Sequence, residues 1–362
     1  MRVPATGVGR TLPVPRDLAP LEATMQEEIR LADSNGVLTP VARGWLRSAL
    51  AAPSIHNTQP WRFRVGDRHI DIFADRSRRL HVVDPRGREL LISVGAALLN
   101  LRVAMLANGR TPMLRLVPGG AEPDLVAQVI PGPPTSISET ARLLAEAIPR
   151  RHTNRRPFDP TAVPPEVLAD LCGAAAVEGA HLEVVDPAVR DAVLGVVRTA
   201  EHRRRRDPEY LRELAEWTVD VGDRRDGIPP EAFGPWSALE VVPLRDFGLI
   251  QPVPRRAAVE FEAEPTIALL YTTGDNPEQW LRAGQALERT LLTATVRGLA
   301  STLMTQPLEL PQMRELFTVS AENQVAQVIL RFGYGPPSAP SPRRPLESFL
   351  LGTDAPVRRH DR

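Results

Sequence analysis

Six side chains with hydrogen-bonding atoms and no permanent charge stand within eight positions of one another: Ser54, His56, Asn57, Thr58, Gln59 and Trp61, in the stretch APSIHNTQPWRF. Pro53 and Pro60 fix φ at both ends and remove two backbone donors, so the loop between them is stiff and its side chains are held. Neutral amides and hydroxyls suit the edge of a flat heterocycle better than a phosphate or a metal ion. The same residues also have a plainer use, in which Asn57 and Gln59 satisfy loop backbone groups and Trp61 plugs the core. No carboxylate lies near enough in sequence to point to acid–base work.

A second group is PRRHTNRRPF, residues 149–158. Arg151, Thr153 and Arg155 occupy alternate positions, so an extended chain aims their guanidinium and hydroxyl donors to one side, as an anion such as phosphate requires. Arginine clusters are otherwise solvated faces. A third group, GPPSAPSPRRPLESF, places Arg343 and Arg344 between prolines, restrained and able to present to a phosphate. The seven histidines show no metal-ligand spacing, and no metal site is expected.

The whole chain sets limits on what these groups serve. Its 362 residues are enough for two ordinary domains and a sizeable core. With 44 basic and 44 acidic residues, no global charge steers it to nucleic acid or an anionic membrane, so a small ligand is the default. The basic run at 203–206 reads as a solvated helix end. No apolar run approaches the ~20 residues of a membrane span, and the first residues lack the apolar core of a signal peptide, so a cytoplasmic protein is expected.

The elements that must position these groups are written twice. SVGAALLNLRVAMLANG and RAGQALERTLLTATVRG share Gly95/Gly284, Ala97/Ala286, Leu98/Leu287 and Gly109/Gly298 in one register, and VAQVI at 126–130 recurs at 325–329. Upstream, Pro40 and Leu46 align with Pro165 and Leu171. Each copy reads as a helix closed by glycine, then two strands. The expected division is 1–149 and 150–362, with an excursion at about 201–260 that has no counterpart in the first half. The Ser54–Trp61 cluster occurs once.

Together these segments resemble the nitroreductase superfamily of FMN-binding proteins, through PSIHNTQPW (Pro53–Trp61) and RHTNR (Arg151–Arg155), and the wording is similar to its Acg-type branch, in which two halves are fused. The resemblance covers nearly all of residues 35–350. It implies an α+β fold of two mainly antiparallel sheets flanked by helices, a pseudo-dimer that is monomeric as a chain, with one FMN between the halves and an inserted lid. Ser54 and Asn57 would contact the isoalloxazine, with Gln59 and Trp61 structural. Arg151, Thr153 and Arg155 would take the phosphate, the ribityl chain and the N1/O2 edge; Thr305 and Gln306 would flank N5 and O4. Arg343 and Arg344 match the phosphate arm, either one being able to fill the role, and Trp217, Phe233, Trp236 and Phe247 match the lid. The implied activity is hydride transfer between a donor such as NAD(P)H and a small organic acceptor. The alternative is a flavin-sequestering or stress-response protein whose covered FMN turns over little NAD(P)H.

Overall fold

The computed structural model describes residues 29–352, apart from 34–35, 117–121, 219–223, 238, 251–255 and 320–322. Thr39 opens the first helix, α1 (Pro40–Leu50): its hydroxyl accepts from the Ala42 amide at 3.3 Å, and Pro40 sits where a missing N–H costs nothing. The hairpin β1 (Trp61–Val65) and β2 (Ile70–Ala74) follows, then α2 (Arg88–Ala107), β3 (Arg110–Leu116), β4 (Leu125–Pro134) and α3 (Glu139–Ala147). The four strands form one antiparallel sheet in the order β1-β2-β4-β3.

The order then repeats. α4 (Pro165–Val177) again begins on a proline; β5 (His181–Val184), β8 (Thr266–Thr273), α7 (Pro277–Val296), β9 (Ala300–Leu303) and β11 (Gln324–Gly333) follow. β5 pairs with β8, β8 with β11 and β11 with β9, all antiparallel, so the order β5-β8-β11-β9 mirrors the first sheet, and the short β10 (Thr318–Val319) adds a fifth strand on β11. The repeated VAQVI segments fall on β4 and β11, the third strand of each sheet. The aligned Leu46 and Leu171 are both fully buried.

The halves part in one connection. β1 and β2 are joined by residues 66–69, whereas β5 and β8 are separated by residues 185–265. That connection holds α5 (Pro187–Arg204), α6 (Pro208–Thr218), and the short parallel strands β6 (Trp236–Ser237) and β7 (Ala258–Val259). The expected start at 201 falls within the last turn of α5, because Val193, Leu194 and Val197 of this helix pack on Ile267, Leu269 and Ile329 of the second sheet. Tyr210, Leu214, Phe233 and Phe247 then form a core with Leu80 and Val83 of the first half. In the run at 203–206, Arg203 and Arg206 are exposed as expected, but Arg204 is buried, over the Tyr210 ring at 5.3 Å and 3.5 Å from Glu309, and Arg205 pairs with Glu201 and Glu240.

At the centre α2 crosses α7. α2 has the length and apolarity of a membrane span, contrary to the expectation that no run comes close, with a mean hydropathy of 2.0. Yet 83% of that window is buried, and the helix packs on α1, α3 and α7 as a core element. The main hydrophobic cluster runs through both halves, from Trp45 and Leu98 to Leu287 and Leu330.

Candidate active site

The loop after α1 makes one short turn at Ile55–Asn57, and three of its residues without the freedom of glycine take left-handed backbone: His56 (φ 44°), Asn57 (φ 54°) and Gln59 (φ 51°). Each such residue costs about 1–2 kcal/mol, so the loop must be held by its surroundings. The Ser54 hydroxyl accepts from the Gln59 amide at 2.9 Å. Gln59 Nε2 donates to the carbonyls of Asn57 and Arg225, while its Oε1 accepts from the Arg344 amide at 3.0 Å. Asn57 Nδ2 donates to the carbonyls of Gly227 and Pro342, both at 3.0 Å, and its Oδ1 accepts from Arg343. The amides of the motif therefore tie the β5–β8 connection and the C-terminal arm to the loop. Trp61 is fully buried against Phe349.

What the strained backbone presents is His56. Its ring is 5% exposed and meets Phe247 edge-on at 5.4 Å, and neither ring nitrogen has a hydrogen-bond partner among the described residues. Burial, then the charges of Arg245, Arg155 and Arg204, hold its pKa well below 6.5. The imidazole is thus neutral, with one donor and one acceptor available.

His56 lines a cavity enclosing about 1070 Å³, open solvent at its mouth included. Its walls come from both halves: residues 53–57, one face of α2 (Glu89, Ile92, Ser93, Ala96), Arg151, His152, Thr153 and Arg155, Leu287 of α7, the end of β9, the middle of β11 (Gln327, Val328), and Ser341 and Arg343 of the arm. The β5–β8 connection adds Ile228, Leu244, Arg245 and Phe247. Of the four aromatic residues expected over the site only Phe247 reaches it; Phe233 is buried behind, 6.2 Å away, and Trp236 is exposed.

The cavity is cationic at two places. After α3 the chain pairs along the edge of the second sheet, where Asn154 N donates to Ser301 O at 2.8 Å, and this extended segment turns Arg151, Thr153 and Arg155 into the cavity. Arg151 is buried, donating to the Ala51 carbonyl at 3.2 Å, and Arg343 donates to the carbonyls of Leu50, Ala51 and Ala52 at the end of α1. Burial and Arg151 bring Arg343 down to about 10; burial, Arg151 and Arg343 bring His152 down to about 4. The second place is Arg155, over the Phe247 ring at 4.7 Å, donating to the Ala232 carbonyl and lowered to about 10 by burial and Arg245. Opposite stands Glu89, whose carboxyl burial pushes up to about 8 against the pull of Arg88.

Seven of the nine residues picked from the sequence thus meet: Ser54, Asn57, Arg151, Thr153, Arg155, Thr305 and Arg343. Two do not line the cavity. Gln306 sits on the short turn after β9 and faces α5, 3.4 Å from Glu201 and from the Pro243 carbonyl. Arg344 sits instead over Phe349 at 4.5 Å, and its amide rather than its guanidinium meets the loop, at Gln59 Oε1. Sequence reasoning missed Glu89, Arg245 and the role of His56. An acid inside the apolar run RELLISVGAALL was the available signal for Glu89.

Residues 148–334 match the model of the Nitroreductase family. Over 324 residues the chain is 32% identical to the Mycobacterium tuberculosis H37Rv protein named "Putative NAD(P)H nitroreductase acg", covering 87% of this chain and 96% of the relative. A second protein of that strain with the same type of name is 35% identical over 84% of this chain and 89% of its own length. Among solved structures, the FMN-dependent nitroreductase NfnB of Mycobacterium smegmatis in complex with NADPH is 17% identical, with a TM-score of 0.35, over 58% of this chain and 100% of NfnB. From the family match and the extent of these relatives, the chain belongs to the nitroreductase family.

Proposed function

We propose that the cavity holds FMN and that the protein is an FMN-dependent oxidoreductase with a single site formed between two nitroreductase-like halves, 1–149 and 150–362. The observation that carries this reading is the meeting of Ser54, Asn57, Arg151, Thr153, Arg155, Thr305 and Arg343, from distant parts of the chain, around one cavity. The donor set suits the cofactor. Arg151 and Arg343, with the Thr153 hydroxyl, fit a phosphate; Ile92, Ala96, Leu287 and Val328 offer apolar wall to a flat ring; and the unpartnered nitrogens of His56 call for a polar ligand. Bound there, FMN supplies two-electron chemistry between a donor such as NAD(P)H and a small organic acceptor. Arg155 contributes a fixed positive charge where negative charge develops on reduction, and the neutral His56 holds a hydrogen bond without bringing a second cation. Phe247, Ile228 and Leu244 keep water from that side.

The family match beginning at residue 148 and the matching strand orders support the two-half division, and a chain that already contains its own partner half is proposed to act as a monomer. Purified protein should show the visible absorption of bound flavin, and anaerobic NADPH should bleach it; colourless protein that stays apo in excess FMN overturns the reading.

A second reading, a covered flavin with little turnover, is favoured by the bonds that close residues 224–250 over the loop, namely Asn57 to Gly227 and Gln59 to Arg225. Removing the whole connection cannot test it, because Tyr210, Leu214 and Phe233 complete the core. Phe247→Ala is the better probe. If cover limits turnover, NADPH oxidation with a quinone should be slow in the wild type and at least several-fold faster in F247A.

A further inference from the structure

Arg151 has a second partner that is not part of the cavity wall. Glu288, on α7, is 0% exposed, and one of its carboxylate oxygens lies 3.4 Å from Arg151 Nε. Neither carboxylate oxygen, nor that Nε, completes a hydrogen bond among the described residues. Asn100 faces the carboxylate from α2, near enough to act on it but outside hydrogen-bond geometry, and Arg343 acts on it from the arm. The nearby end of α3 brings only apolar groups, Ala147 and Ile148, to the cluster around Leu292. The other acid between these helices, Glu178, is already closed by Arg102 at 2.6 Å and Arg289 at 2.7 Å.

A phosphate arriving at Arg151 competes with Glu288 for the same guanidinium. An ionised Glu288 would then be a buried carboxylate beside a new anion, with half its countercharge withdrawn and no hydrogen bond to compensate. Protonation removes that repulsion. We propose that Glu288 takes up a proton when a phosphate group binds at Arg151, making it a proton-linked positioning residue that sets the pH range over which the cavity retains a phosphate-bearing ligand. The proposal rests on the FMN reading. Burial already raises Glu288 to about 7, so the proton exchanges near neutrality.

Above about pH 7 free Glu288 is ionised and binding must bring in a proton, so affinity falls as pH rises, by up to about tenfold per unit. His152, at about 4, and Arg343, at about 10, do not titrate in this window. The ligand's own phosphate loses its second proton near pH ~6, which acts in the opposite direction and equally in every variant. Glu89, on the cavity wall and also raised, is the one other group to separate.

The full chain, stripped of flavin, is titrated with FMN at pH 8 by calorimetry in two buffers of different ionisation enthalpy, and affinity is followed by flavin fluorescence from pH 6.5 to 9. Wild type should take up close to one proton per FMN, and Glu288→Gln should bind FMN with that uptake and the decline above pH 7 both lost. Should E288Q fail to fold, Glu89→Gln must keep the uptake intact. FMN binding by wild type with no proton uptake, or uptake that E89Q abolishes, overturns the proposal; failure of wild type to bind FMN at all instead overturns the cofactor assignment.

Discussion

Gly95 and Gly284 occlude each other where α2 crosses α7: a β-carbon on Gly95 would lie 3.0 Å from the Gly284 Cα, and one on Gly284 2.9 Å from the Gly95 Cα. Each would also run into a carbonyl oxygen of the opposite helix, that of Leu281 for Gly95 and that of Ile92 for Gly284. Both pairs share the offset of the sequence repeat, so residue i touches j and the counterpart of i touches the counterpart of j. That reciprocity is the signature of a twofold interface, here inside one chain.

Alanine in place of an exposed helical glycine stabilises by about 1 kcal/mol. At this crossing the effect reverses, because the new methyl meets backbone that cannot turn aside. Gly95→Ala and Gly284→Ala should each cost about 3 kcal/mol in urea unfolding. Equal or raised stability would mean that the helices do not approach this closely.

Asn57 offers a contrast between two losses. Both Asn57→Ala and Asn57→Gly remove the bonds to Gly227, Pro342 and Arg343, and both must adopt φ near 54°, but only alanine has a β-carbon that is strained there. The glycine variant should therefore be the more stable by about 1 kcal/mol. In both, hydrogen exchange around Gly227 should quicken, which mass spectrometry of residues 224–233 would register.

The apo protein should show an unusual pH profile of stability. His56 and His152 are held below 6.5 in the folded chain, so the unfolded chain binds the extra protons and each term removes stability as pH falls through 6.5. Glu288 and Glu89 are held above 4.5, so the folded chain binds the extra protons and each term adds stability as pH falls toward 4.5. Two terms each way leave stability nearly flat from about pH 5 to 6.5 and falling above it. His56→Phe removes one histidine term, so that variant should gain up to about 1.4 kcal/mol per unit on acidification from 6.5 to 5.

Arg151→Met tests the phosphate end. It should weaken FMN binding by about 10- to 100-fold while changing riboflavin affinity little, since riboflavin lacks the phosphate. Equal losses for the two flavins would move the phosphate elsewhere in the cavity.

The sequence made the paired helices and the shared pockets legible because repetition and proline-flanked motifs survive without coordinates. Pro40 and Pro165 mark two helix starts that the structure places at α1 and α4. Side-chain direction was harder. Arg343 and Arg344 are equivalent as letters, yet only Arg343 reaches the cavity while Arg344 lies over Phe349, and Thr305 and Gln306 part on entering a tight turn. His56 was visible in the loop, but its presentation depends on positive φ, which a histidine does not advertise. Glu288 was passed over although it lies four residues beyond Gly284 on the apolar face that carries Leu281, Leu291 and Leu292, because a lone acid on a core face belongs to no local motif.

The arm that carries Arg343 runs on to β1, where the Leu351 amide donates to the Phe63 carbonyl at 2.8 Å, so the first sheet is finished by residues made nearly three hundred positions later. One wall of the cavity and the edge of the first sheet are thus a single piece of chain, and fraying of β1 and loosening of the Arg343 arm become one event.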